Sequence, residues 1–134
     1  MEDHLSSDNL VDVPSVAEYR RVLPICVRAS RTQMETNGRS AIMEMLRANY
    51  DAPDHTVTAG QLAKKVNLTN FGDANLRYGK FAALMCEQLE RKPKFYIAIL
   101  VTFSGGQWDD GIVRWTMLPQ VAAALEELGW IKRR

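Results

Sequence analysis

The sequence predicts an α+β fold, mostly helical: a winged helix-turn-helix-like domain with a two-stranded β-hairpin as its wing and extra N-terminal helices. Three observations lead there. Apolar residues recur at helical spacing in successive segments up to about residue 90. Near Lys94 the pattern changes to β-branched and aromatic residues, with a Gly-rich break between two such runs. Helix-start signals then reappear at Pro119.

The elements follow in order. Residues 1–13 are polar and acidic without a period and read as a flexible tail, leaving 14–134 as one domain. Pro14, Ser15 and Glu18 form a capping-box pattern that opens a helix. Pro24 predicts a kink or break near Leu23, with "ICVRASRTQM" continuing beyond it. After Asn37-Gly38, Ile42, Met45, Leu46 and Tyr50 share a helical face. "DAPDHT" is a loop, and Thr58 with Gln61 repeats the capping box at the start of a short helix. "NLTNFG" is a turn, and Asp73 is the expected cap of a longer helix reaching about Glu90. On that helix Tyr78, Phe81, Ala82, Met85 and Leu89 form the apolar face. Leu76 falls on the polar side, which core packing does not explain. "KFYIAILVTFS" and "IVRWTML" read as the two strands of a hairpin spanning Lys94–Met117. Pro119 opens the last helix, and Gly129 followed by Trp130 fits a Schellman stop, with Trp130 packing on Leu125.

Charge limits the function classes. The net charge is +1, so nothing global demands a polyanionic partner. The distribution is uneven: the first eighteen residues hold five acids and no Lys or Arg, and residues 20–47 hold six arginines against Glu35 and Glu44. Cys26 and Cys86 lie in apolar helical runs, where buried free thiols are expected. With only His4 and His55 besides, no metal-ligand spacing exists. No catalytic residue, phosphate loop or cofactor motif is identified, so no enzyme activity and no cofactor are expected. An acidic N-terminus without an apolar core segment, and apolar runs too short for a bilayer, point to the cytoplasm and to no membrane partner.

The stretch "NLTNFGDANLRYGKFAALM" carries more polar side chains than a structural helix start requires. In a winged helix the first turns of the second helix of the helix-turn-helix enter the major groove. The candidate DNA-binding set is therefore Lys64, Lys65, Asn67, Thr69, Asn70, Asn75, Arg77 and Lys80. Asn suits adenine and Arg guanine, while Lys and Thr suit phosphates. Asn75 as a capping aid and Arg77 as a solvated cation are the plain alternatives. Tyr78 reads as structural and Gly79 as a place of close helix packing. Lys64, Lys65, Arg91, Lys92 and Lys94 are further candidate phosphate contacts. Asp109 and Asp110, beside Trp108 at the expected wing tip, would repel phosphate.

"TAGQLAKKVNLTNFGDANLRYGKFAALM", with "WTMLPQVAAALEELGW" downstream, resembles a module of bacterial HNH-type and modified-cytosine-directed restriction proteins. The resemblance spans about residues 56–131 and rests on the Thr-Ala-x-x-Leu-Ala start, on Asn75, Leu76, Tyr78 and Gly79, and on the Trp-x-Met-x-Pro to Leu-Gly-Trp end. It implies a DNA-associated accessory or regulatory module that lacks the nuclease domain.

The expected partner is double-stranded DNA, plain or modified, bound by a transcriptional regulator or by the DNA-reading accessory of a restriction-type system. The alternative is a protein-interaction module with no DNA contact, to which Met34, Met43, Met45 and the acidic wing tip point. A nuclease subunit is a candidate protein partner, and residues 15–34 are a candidate homodimer interface.

Overall fold

Local side-chain chemistry starts and stops most of the helices. In a computed structural model, residues 12–34, 41–68, 70–106 and 112–131 are described, with backbone alone for 31–34. Helix α1 (Val16–Met34) opens on the expected capping box. The Ser15 amide donates to Glu18 Oε1 at 2.9 Å, and the Glu18 amide to Ser15 Oγ at 3.1 Å. Helix α2 (Ala41–Asp51) leads through a 3₁₀ turn (Pro53–His55) into β1 (Thr56–Thr58). Helix α3 (Ala59–Lys65) opens on the second capping box, between Thr58 and Gln61, both bonds at 3.0 Å. Helix α4 (Phe71–Leu89) is followed by a 3₁₀ turn (Tyr96–Ile99), β2 (Val101–Gly105), β3 (Val113–Met117) and α5 (Pro119–Glu127).

Helix α5 ends in the expected Schellman geometry. Gly129 has φ +73°, the Trp130 amide donates to Leu125 O at 3.1 Å, and the Gly129 amide to Glu126 O at 3.0 Å. Trp130 packs against the core.

Three expectations are corrected, and one of two alternatives is settled: Pro24 does not break α1, which continues through it. The loss of one backbone donor there is outweighed by packing: Tyr19, Val22, Leu23, Cys26 and Val27 are all buried against the core. The cap of α4 is Asn70, not Asp73. The run after Lys94 is not strand throughout. Ile97, Ala98, Ile99 and Leu100 are buried in succession, which a 3₁₀ turn allows and a strand with one solvated face does not. Finally, the sheet has three strands rather than two, in the order β1-β3-β2 and antiparallel throughout. Strand β1 is the segment Thr-Val-Thr, too short to show a period of two.

The register places Val57 opposite Trp115 and Phe103 opposite Trp115 from the other side, so Trp115 centres the buried face of the sheet. Its ring lies 5.5 Å from that of Tyr78 in α4. Helix α1 packs against α4 and also against α5. The Tyr19 hydroxyl donates to Ile99 O at 2.7 Å, tying α1 to the turn that feeds the sheet. The apolar face of α1 is thus used within the chain. On its outer side Ile25 remains exposed, beside Arg21 and Arg28, and Arg20 pairs with Glu127 of α5 at 2.6 Å. Met45 is a core residue rather than a surface one, and Met43 packs half-buried against the core. The side chain of Met34 lies outside the described residues.

Candidate functional site

The first half of α4 is held in place by its buried side and presents a distinct outer side. Ala74, Tyr78, Phe81 and Ala82 are buried. Phe71, Gly72, Asn75, Leu76 and Lys80 are exposed, Phe71 at 67% and Leu76 at 57%. Helical geometry sets Phe71, Asn75 and Gly79 in one row and Gly72, Leu76 and Lys80 in the next. This face carries an amide, two large apolar side chains, an ammonium group and two glycines. It holds no thiol or imidazole.

Gly79 overturns its expected role. A Cβ built at Gly79 would meet nothing within 4 Å, so no neighbouring helix requires the glycine. Gly72 is different. A Cβ there would stand 3.1 Å from Asn70 Oδ1, the atom that caps the helix.

The candidate residues divide into groups. Asn70 is taken up by capping: its Oδ1 accepts from the Asp73 amide at 3.0 Å. Asn67 is the stop of α3. It has φ +60°, its amide donates to Lys64 O at 3.4 Å, and the next amide, of Leu68, donates to Ala63 O at 2.8 Å. Asn tolerates this left-handed backbone better than most residues, which accounts for its presence. Arg77 lies to one flank of the outer face and pairs with Asp73, Nε to Oδ1 at 3.1 Å, both side chains largely covered. Only Asn75 and Lys80 of the set lie on the outer face of α4. Thr69 lies outside the described residues, as do Trp108, Asp109, Asp110 and the tail through residue 11.

Lys64 and Lys65 belong elsewhere. They line an open groove of about 970 Å³ together with Gln61, Val57, Asp51 and Arg114, and no residue of α4 contributes to it. Sequence reasoning missed Arg114, whose Nη1 donates to Ile112 O at 3.3 Å. It also missed Phe71, an apolar residue at the start of α4 that is 67% exposed. Of the other basic candidates, Arg91 is engaged inside the chain, donating to Leu89 O at 2.7 Å and pairing with Glu18 at 3.3 Å. Lys92 and Lys94 are exposed.

The shifted titrating groups lie away from this face. Burial pushes the Tyr78 and Tyr19 hydroxyls well above the usual phenol range. The Ser15 amide, with Arg91 assisting and burial opposing, holds the Glu18 carboxyl below its usual value. Cys26 and Cys86 are free, buried thiols. Among the described residues, no cluster of three or more His, Cys, Asp or Glu could hold a metal ion, and no helix is long and apolar enough to cross a membrane. No protein-family model matches the chain, and neither does any curated protein or any solved structure.

Proposed function

We propose that the chain is a winged-helix DNA-binding module in which α4 is the recognition helix and the β2–β3 hairpin is the wing. The observation that carries the reading is the outer face of α4: its first three turns present Asn75, Leu76 and Lys80 to solvent while Tyr78 and Phe81 anchor it from behind. The order α2-β1-α3-α4-β2-β3, with β3 in the middle of the sheet, supports it, since two helices followed by a hairpin is the order that the reading requires. Asn75 would read a base edge and Lys80 a phosphate, with Lys64, Lys65 and Arg114 as further phosphate contacts along the groove beside α3. The resemblance to the restriction-linked module fits a DNA-reading accessory in the cytoplasm, or a transcriptional regulator, with no catalytic step of its own. The test is binding of the purified protein to mixed labelled duplexes, plain and cytosine-methylated, at low and physiological salt. The expected result is binding that falls steeply with salt, by about one unit of log-log slope per phosphate contact. Absence of binding at low salt sinks the reading.

A second reading has its own observation. Phe71 and Leu76 are large, apolar and exposed on the same face, and Arg77 beside them is neutralised by Asp73. That composition suits docking of a protein helix, which would leave salt dependence shallow and DNA binding absent.

A further inference from the structure

The outer face of α4 is unusual in what it offers a DNA groove, and, resting on the DNA-binding reading above, we infer that it selects A·T base pairs and does so through the thymine methyl group. Asn75 is the one amide on the exposed rows of the first three turns, and Asn pairs with the N6 and N7 edge of adenine. Phe71 stands one turn before it and Leu76 directly beside it, both more than half exposed. The major groove presents apolar groups to such side chains mainly as the methyl of thymine. The guanine-reading group that α4 could have used, the Arg77 guanidinium, is tied to Asp73 at 3.1 Å. Lys80 lies more than two turns beyond Phe71, where a helix entering by its N-terminus meets backbone phosphate.

The charge balance fits a nucleic-acid occupant. The one carboxylate among residues 71–80 is Asp73, in the first turn, and it is engaged with Arg77, so the two exposed rows carry the Lys80 ammonium and no acid. Gly79 points the same way. A glycine inside a helix is unfavourable against alanine, and beyond the helix's own backbone no described residue lies within 4 Å of where its Cβ would be. It keeps the row of Phe71 and Asn75 flat, so that a groove wall can approach the helix backbone.

The experiment uses the full chain and three pools of duplexes of equal length, with centres randomised from A·T pairs, from G·C pairs, or from A·U pairs in which uracil replaces thymine. Binding is read by fluorescence anisotropy at low salt. The A·T pool is expected to bind tightest, and removal of the methyl to weaken it about three- to fivefold for each thymine methyl that the helix touches. Leu76→Ala, at an exposed position that folding does not need, is expected to shrink the difference between the A·T and A·U pools while the salt slope stays as in the parent. Equal binding of the A·T and A·U pools overturns the methyl inference and leaves the DNA-binding reading standing. Tighter binding of the G·C pool overturns the base preference. Binding of no pool overturns both.

Discussion

The hydroxyl of Tyr78 in α4 donates to Oδ1 of Asn49 in α2 at 3.0 Å, and Asn49 is fully buried. The other half of the Asn49 amide donates from Nδ2 to His55 O at 2.9 Å, in the turn that leads into β1. One buried amide therefore ties together α4, α2 and the entry to the sheet. Its oxygen has no water to fall back on, so Tyr78→Phe leaves a buried acceptor unpaired. The expected loss is about 1–3 kcal/mol of stability, read from the urea midpoint at unchanged slope. The double variant Tyr78→Phe with Asn49→Leu should lose less than the sum of the single losses, because their partners are shared. Additive losses would show that the bond contributes nothing of its own.

Asn70 separates capping from base reading. Its Oδ1 accepts the Asp73 amide, a bond an aspartate can make as well. Asn70→Ala should cost about 1 kcal/mol in stability, while Asn70→Asp should hold it. If Asn70→Asp also leaves duplex binding unchanged, Asn70 is a cap alone and leaves the DNA-reading set. A loss of binding in Asn70→Asp without a loss of stability returns it to that set.

What the sequence revealed, and what it hid, follows from how far each signal reaches along the chain. The caps at Ser15 and Thr58 and the stop at Gly129 were legible because each is made within three to five residues. The strand Thr56–Thr58 was not, because it exists only through pairing with Thr116, Trp115 and Arg114, sixty and fewer residues away. At Pro24 the local signal left a kink and a break both open, and five buried side chains of α1 carry the helix through. Within the candidate site, Leu76 announced itself as an apolar residue on a polar face, and it is exposed. Asn67, Asn70 and Arg77 look alike in sequence to Asn75, and only their backbone angles and partners show that they serve the chain itself.

Gly79 permits a test in which stability and binding move in opposite directions. With open space around its Cβ position and helical backbone, alanine fits without strain. Gly79→Ala should stabilise the protein by about 0.5–1 kcal/mol, seen as a raised Tm. If the flat row serves a partner, the same variant should bind its duplex more weakly. A variant that is more stable and binds equally well would show that close approach at Gly79 is not needed.

Burial of the two thiols predicts that the fold loses stability in alkali. Burial pushes Cys26 up to about 12, with nearby Glu87 and Cys86 adding to it, and burial alone pushes Cys86 up to about 11, against an ordinary 9.0. Above pH 9 the unfolded chain releases thiol protons that the folded chain retains, so the folded state binds more protons and stability falls with rising pH. The stabilisation is complete below about 9 and is lost progressively toward 11 and 12. Burial raises the Tyr19 and Tyr78 hydroxyls in the same direction, from an ordinary 10.0, so they add to the slope only at higher pH. The urea midpoint should accordingly hold steady from pH 7.5 to 8.5 and then decline between 9 and 10. The variant Cys26→Ala with Cys86→Ala begins from lower stability but should show a flatter decline across that interval. A slope equal to the parent's would mean that other groups govern the alkaline limit. Labelling supplies an independent check, since a disulfide reagent at pH 8 needs thiolate and access together. The native chain should react only as fast as it opens, with both thiols becoming reactive at once in urea. Immediate labelling of either cysteine in the native state would place that side chain outside the core.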